Sequence, residues 1–357
     1  MISAYNKPYS GGLENVVAEL TNYMTHKGLD ITVCYESNRN FKQQKGSFTS
    51  LEVKPFYIPK IFHRGFYNKI AYSFKSRQTI SQNQFDLIHG HGENCFFNSF
   101  LRSNVPLIVT FHGTRAMFIP RRDPRNLAAF YAEKVAAQKC DVATACSEGA
   151  KKEVEHFYNV SGNKIKVIHN GVDTDAFFPM DKSLSRKQLG LTGKSIIALW
   201  VGLSPERKGL FTVIDSLKNY PNIHLLVVGM IKPNTKNVTF LGKVPFEQLR
   251  AAYNASDFFF FPTRYEGFPV APLEAMACGL PVLTSQASNM GEIMKQGVHG
   301  FIVGTDSYLD KINLLLHSDL RLKISRECRC LALQYSWANQ AEKYLQLYSK
   351  VTGENYN

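Results

Sequence analysis

Two doubly wound α/β domains in succession are what the pattern of this chain predicts, and three observations carry the prediction. Short β-branched or aromatic runs alternate with stretches of helical period along the whole length, as in parallel strands joined by helical crossovers. The alternation pauses once, at the turn-rich HNGVDTDAFFP ending in Pro179, and then restarts. The 357 residues, 44% of them hydrophobic, suffice for two cores of ordinary domain size.

In the first half, after a short opening strand, the predicted strands are 30–36 (DITVCYE), 85–90 (FDLIHG), 106–112 (PLIVTFH), 141–147 (DVATACS) and 165–169 (IKVIH). The clearest helix covers 13–26, where Val16, Val17, Leu20, Tyr23 and Met24 keep a 3.6-residue period and Gly28 stops it. After the pause, strands are predicted at 195–201 (SIIALWV), 223–229 (IHLLVVG), 238–241 (VTFL), 257–262 (DFFFFP) and 281–284 (PVLT). The boundary falls near Asn170 to Asp173, giving an N-terminal domain 1–169, a second domain 170–335 and a terminal segment 336–357. The helix of that segment, about 337–348, has the spacing of an element that docks on a larger body.

Neither a signal segment nor an apolar run of eighteen residues is visible, which points to a cytoplasmic protein. The seven cysteines are odd in number and lack the spacings of a zinc site or a disulfide scaffold. Cys328 and Cys330, two apart in a predicted helix, should point to different sides. The net charge of +13 is uneven: residues 1–172 hold 22 Lys plus Arg against 13 Asp plus Glu, a net of +9, which leaves +4 for the rest. Such a surplus suits anionic partners such as phosphate, anionic lipid or nucleic acid.

Five constellations carry chemistry. Tyr9-Ser10-Gly11-Gly12 sits between a strand and a helix, where paired glycines let backbone approach a ligand; a plain strand-to-helix turn uses the same residues. Val201 to Gly209, VGLSPERKG, again joins a strand to a helix, and there Arg207 and Lys208 offer a forked donor and a compact cation to a diphosphate. In YEGFPVAPLEAMACGLPV, Glu266 lies just ahead of a helix and Glu274 inside it. The bland alternative has Glu266 capping that helix and Glu274 on a solvated face, yet Leu273, Ala275, Met276 and Ala277 make an apolar setting in which a carboxylate needs a partner.

The fourth constellation is His89 and His91 in IHGHGE with His112 in TFHGT, each at a predicted strand end. No acid or cysteine joins them at ligand spacing and the strand ends can lie apart, so metal binding is not expected. His112 reads as a neutral hydrogen-bonding group, and His89 as a satisfied strand-end histidine. The fifth is the span 53–85, where Lys54, Lys60, Arg64, Lys69, Lys75 and Arg77 are interleaved with aromatics and no acid. That mixture fits a membrane interface, single-stranded nucleic acid, or a basic face over a packed helix.

Taken together, the glycine pair, TFHG, ACSEGAKKE, IHNGVD, GLSPERKG, DFFFFPTRYEGFP with its E-x7-E pair, CGLPVLTS, GVHGFIV and the terminal YSW resemble the retaining GT-B glycosyltransferases of family 4 over nearly the whole length. The resemblance implies two Rossmann-like domains facing a cleft, with the last helix packing back towards the N-terminal, acceptor-side domain. It implies a metal-independent, front-face transfer of a hexose-type sugar from a nucleoside diphosphate donor, UDP ahead of GDP, to a saccharide or lipid-linked acceptor, with no further cofactor.

By the same resemblance Arg207 and Lys208 bind the donor diphosphate, Glu266 lies beside the transferred sugar, Glu274 binds the ribose and His112 contacts the sugar. Gly11, Gly12, Gly202 and the backbone of Gly267, Phe268 and Val270 approach the donor. Lys60, Arg64 and Lys69 are candidates for the acceptor or an anionic membrane surface, which would make the enzyme peripheral on the inner membrane face. Two features depart from the common pattern: Leu203 stands where an arginine often follows the loop glycine, and Ser288-Asn289-Met290-Gly291-Glu292 replaces a glycine pair ahead of the later glutamate. The competing readings are a glycan phosphorylase and a non-catalytic basic protein that binds membrane or nucleic acid.

Overall fold

A computed structural model describes residues 2–3, 12–36, 49–53, 85–91, 104–114, 116, 124–193, 196–232, 234–304 and 307–356. Gly11 and the basic residues Lys60, Arg64 and Lys69 lie outside them. The chain divides into two compact units, Met1–Asn170 with Trp337–Asn357, and Gly171–Ser336.

The first unit holds β1 (Ile2–Ser3), α1 (Gly12–His26), β2 (Thr32–Glu36), β3 (Thr49–Val53), β4 (Ile88–His91), β5 (Leu107–Phe111), α2 (Pro124–Lys139), β6 (Val142–Ala145), α3 (Glu148–Tyr158) and β7 (Ile165–Val167). Its strands form one parallel sheet in the order β3-β2-β1-β4-β5-β6-β7, so the order reverses between β1 and β4. Of the apolar positions that predicted α1, Val16, Val17, Leu20 and Met24 are buried and Tyr23 is half-buried, and Gly28 follows the helix at φ +91°.

The second unit follows with α4 (Lys182–Gln188), β8 (Ile196–Val201), α5 (Leu210–Leu217), β9 (Ile223–Val228), β10 (Val238–Gly242), α6 (Phe246–Ala255), β11 (Phe258–Phe261), α7 (Val270–Ala277), β12 (Val282–Ser285), β13 (Gly300–Val303), α8 (Tyr308–Leu315) and α9 (Ser318–Gln334). This sheet is also parallel, ordered β10-β9-β8-β11-β12-β13, and reverses between β8 and β11. All four phenylalanines of β11 are fully buried, as expected of a central parallel strand covered on both faces. The last helix, α10 (Trp337–Thr352), belongs to the first unit, where it packs on α1 and where Lys27 meets Glu342 at 2.6 Å.

The sequence reading did not find β3 or β13. Both are sheet edges: β3 is the polar-rich TSLEV and β13 the short GFIV, neither of which shows the long apolar run that marks a central strand. Cys328 is buried and Cys330 exposed, on different sides of α9 as their spacing requires.

Asp257, at the start of β11, anchors the second unit. Its buried carboxylate accepts from the backbone N–H of Ile197 at 2.8 Å and from Arg186 at 2.6 Å, and also pairs with Lys182 at 2.9 Å. Removing it strands Arg186 and a buried N–H together. Asp257→Ala should therefore lose about 3–5 kcal/mol in urea unfolding, the usual loss on breaking a buried pair; a loss below 1 kcal/mol would show that the anchor is dispensable.

Candidate active site

In an open parallel sheet, ligands bind beyond the carboxyl ends of the strands where the strand order reverses. In the second unit that place is flanked by the loop after β8, which carries Gly202, Arg207 and Lys208, and the loop after β11, which carries Glu266 and Gly267. Two residues that are distant in sequence, Arg207 and Glu266, thus come from neighbouring strands.

Backbone geometry forces this loop pair together. Gly209 caps α5 in the left-handed region (φ +75°), and a Cβ there would lie 2.1 Å from the carbonyl oxygen of Pro262. The Arg207 carbonyl accepts from the N–H of Arg264 at 2.8 Å and from Thr263 Oγ1 at 3.0 Å, which ties the two loops by main chain. Gly202 leaves room for the Lys208 stem: a Cβ there would stand 2.6 Å from Lys208 Cδ and 2.9 Å from the Trp200 ring. Trp200 in turn donates Nε1–H to the Lys208 carbonyl at 3.0 Å.

The side chains converge on one oxygen. Arg207 Nη1 lies 2.7 Å and Lys208 Nζ 3.8 Å from Glu266 Oε1, while Lys208 Nζ also sits 5.3 Å from the Phe261 ring centre. The buried Oε1 is thus flanked by both cations, and Arg207 Nη1 also donates to the Tyr265 carbonyl at 3.1 Å. Burial lowers the Lys208 pKa, opposed chiefly by Glu266. Glu266 does not cap α7; the cap position is Pro269, which offers no side-chain bond, and Gly209 likewise leaves the start of α5 uncapped. By contrast α3, α4 and α8 are capped by Ser147, Asp181 and Ser307. In α5 the first N–H, that of Leu210, already donates to the Pro205 carbonyl at 2.9 Å, and in α7 Pro272 has none, so it is the N–H groups of Val270 and Ala271 that the start of α7 offers to an anion.

Glu274 lies in the second turn of α7, and the partner its apolar setting demands is Tyr253 of α6, whose hydroxyl donates to Oε2 at 2.6 Å. Burial raises the Glu274 pKa, and Tyr253 and Lys208 pull it back. Its Oε1 meets no hydrogen-bonding partner among the described residues, so one oxygen is held and the other is open to a ligand. Phe268 is buried and Val270 opens α7.

Tyr253 and Asn289 escaped the sequence reading. Asn289 adopts φ +57° between two short 3-10 turns, Gln286–Ser288 and Met290–Glu292, and its amide donates to the carbonyls of Glu266 at 2.8 Å and Gly267 at 2.9 Å. The loop that departs from the common glycine pair thus clamps the backbone bearing Glu266. An asparagine between Ser288 and Met290 was the available signal, because Asn tolerates the left-handed region.

In the first unit the three histidines do not lie apart, as the sequence reading allowed, but form a file, because β4 and β5 are neighbours in register. His89 is fully buried, with Nδ1 2.6 Å from Tyr348 Oη and Nε2 2.6 Å from Thr110 Oγ1. His91 stacks on His89 with ring centres 4.7 Å apart, and His112 stacks on His91 at 5.2 Å. His91 Nδ1 and His112 Nε2 are 2.9 Å apart. Burial holds His89 down at about 3 and His112 at about 4, and carries His91 well below its ordinary value, so all three rings are neutral at pH 7. Gly12, read as part of a ligand loop, is the first residue of α1. Among the described residues no group of three His, Cys, Asp or Glu could hold a metal, and no helix is long and apolar enough to cross a membrane.

With the geometry in hand, likeness to known proteins becomes informative. The family described as Glycosyltransferase Family 4 matches residues 10–176, and the one described as Glycosyl transferases group 1 matches residues 181–329. The phosphatidyl-myo-inositol mannosyltransferase of Propionibacterium freudenreichii is 26% identical, over 100% of this chain and 95% of the relative. Among solved structures, a sucrose-phosphate synthase from Thermosynechococcus elongatus superposes with a TM-score of 0.85 at 19% identity, covering 99% of this chain and 98% of the other. Anabaena HepE in complex with UDP and glucose superposes with a TM-score of 0.78 at 19% identity, covering 98% of each chain. The two family matches together span both Rossmann-like units, and the chain belongs to the GT-B glycosyltransferases of the family 4 type. It is a transferase of glycosyl groups.

Tyr253→Phe removes the donor to Glu274 and leaves a buried carboxylate under-satisfied, a loss of about 1–3 kcal/mol. Because the folded pKa of Glu274 is already raised, its ionisation erodes stability as pH rises through that value, and loss of Tyr253 raises it further. The deficit of the variant should therefore be widest at neutral pH and shrink towards about pH 4. Urea titrations at both pH values check this; an equal deficit at each would mean that the Tyr253 hydroxyl does not act on the carboxylate charge.

Proposed function

We propose that the enzyme transfers a hexose-type sugar from a nucleoside diphosphate donor to a hydroxyl of a saccharide or lipid-linked polyol, with retention of anomeric configuration and without a metal. The convergence of Arg207 and Lys208 on Glu266, beside the uncapped starts of α5 and α7, is the observation that carries this reading. Two cations, one of them largely shielded from water, and the start of α7 form a seat for a diphosphate that gains charge as its bond to the sugar breaks. In this reading the diphosphate takes over the cations that Glu266 holds in the free protein. Glu266 is then left beside the migrating sugar, and the open Oε1 of Glu274 accepts from a ribose hydroxyl.

The anomeric carbon loses its bond to the diphosphate oxygen and gains one to the acceptor oxygen on the same face. The acceptor proton passes to the departing phosphate, so no dedicated base is required. His112, neutral at pH 7, serves as a hydrogen-bonding group for a sugar hydroxyl, and Gly202, Gly267, Phe268, Val270 and the Gly11-Gly12 pair give main-chain approach to the donor. UDP is favoured as the nucleotide because HepE, of like fold, is known with UDP and glucose. The P. freudenreichii relative, by its name, glycosylates a lipid-borne inositol, which supports a polyol acceptor at a membrane surface. The basic aromatic span 53–85 supports the same site of action from sequence alone.

A thermal-shift panel of UDP, GDP and ADP sugars tests the donor, since a ligand at a hundredfold excess over its Kd stabilises the fold by about 2.7 kcal/mol; no shift with any of them at millimolar concentration would overturn the reading. Lys208→Ala should lower kcat by roughly 10²- to 10³-fold, and Glu274→Ala should mainly raise KM for the donor while Glu266→Ala mainly lowers kcat. Turnover of Lys208→Ala within threefold of wild type, or the same defect in both glutamate variants, would sink the assigned roles. Charge reversal at Lys60, Arg64 and Lys69 should weaken co-sedimentation with vesicles containing phosphatidylserine, and unchanged sedimentation refutes the membrane component.

A further inference from the structure

His112 lies at one end of the histidine file. Its Nε2 faces His91 Nδ1 at 2.9 Å, the two rings are near-parallel with centres 5.2 Å apart and an interplanar angle of 15°, and its Nδ1 meets no hydrogen-bonding partner among the described residues. We propose that His91 is a positioning residue, which engages His112 Nε2 in an imidazole–imidazole hydrogen bond and so fixes both the ring plane and the tautomer with which His112 offers Nδ1 to a sugar hydroxyl. The inference rests on the reading of His112 as a sugar-contacting group.

A neutral imidazole carries one N–H, so a bond between two such rings has one donor and one acceptor. If His91 Nδ1 donates, His112 must carry its proton on Nδ1 and becomes a donor to the ligand; if His91 accepts, His112 Nδ1 becomes an acceptor. The choice made at His91 is thereby passed to the ligand-facing atom. Two features hold the ring pair in place. Both rings are neutral, and that of His91 is buried, so the bond is not opposed by like charge. His91 is also backed by His89, which is pinned between Thr110 of β5 and Tyr348 of α10, and Thr110 continues to Thr144 of β6 at 2.5 Å. The C-terminal helix, more than 250 positions away in sequence, thus braces the file from behind.

The test is nitrogen-15 NMR of the histidine rings in the full-length, ligand-free protein, alongside steady-state kinetics. In wild type we expect His112 in one neutral tautomer, with a through-hydrogen-bond coupling between His91 Nδ1 and His112 Nε2. In His91→Phe, which keeps a ring to stack on but removes the bond, His112 should exchange between tautomers and kcat should fall on the order of tenfold with little change in KM for the donor. His91→Asn, whose carboxamide can reach the place of Nδ1, should restore a single tautomer and part of the rate. His112 exchanging between tautomers in wild type, or an unchanged tautomer in His91→Phe, would overturn the proposal. If His91→Phe does not fold, the wild-type spectrum and His91→Asn decide alone. Unaltered turnover in His112→Ala would instead refute the sugar contact, leaving the coupling between the two rings readable on its own.

Discussion

Lys208, with its ammonium over the Phe261 ring and its stem against the bare backbone of Gly202, sets the terms for the second unit. A cation largely shielded from water needs a carboxylate within reach, and Glu266 supplies it while also holding Arg207. That requirement explains the local architecture. Gly202 must lack a Cβ so the lysine stem can pass, Gly209 must take a left-handed turn so the loop lies against Pro262, and Asn289 must grip the carbonyls beside Glu266. Each of these would be an arbitrary loop detail if the charge did not have to be kept there.

A site built this way is poised rather than satisfied. One carboxylate oxygen holds two cations, and the neighbouring Glu274 has one oxygen held by Tyr253 and the other without a hydrogen-bonding partner among the described residues. A diphosphate ester can relieve both conditions, supplying oxygens that the cations and the start of α7 can engage, and hydroxyls for the open carboxylate. Preorganised groups of this kind lower a barrier because they need not reorganise when charge develops. The histidine file of the first unit follows a related logic with neutral groups: His89 is held by Tyr348 and Thr110, and His91 and His112 are paired through Nδ1 and Nε2.

The central strands were legible in the sequence because burial on both faces demands unbroken apolar runs, as in FFFFP, and the helix boundaries because Gly28 and the apolar period mark them. Edge strands β3 and β13 were not, since pairing on one side lets a strand be short and partly polar. At the site, the residues with unusual chemistry for their place, Arg207, Lys208, Glu266 and Glu274, stood out in the sequence. Their supports did not: Tyr253 on α6 and Asn289 in a turn are ordinary residues until the fold brings them to a carboxylate and a carbonyl.

What the sequence by itself determined is therefore the alternation of elements, the junction near Asn170 and the identity of the charged groups, because these depend on local period, turn chemistry and residue type. What only the tertiary structure decided is adjacency. The parallel register of β4 with β5 turns three scattered histidines into a stack, and the reversal of strand order between β8 and β11 puts Arg207 against Glu266 across nearly sixty residues of chain. Pairing between strands is set by packing summed over the whole sheet, and no local segment carries that information.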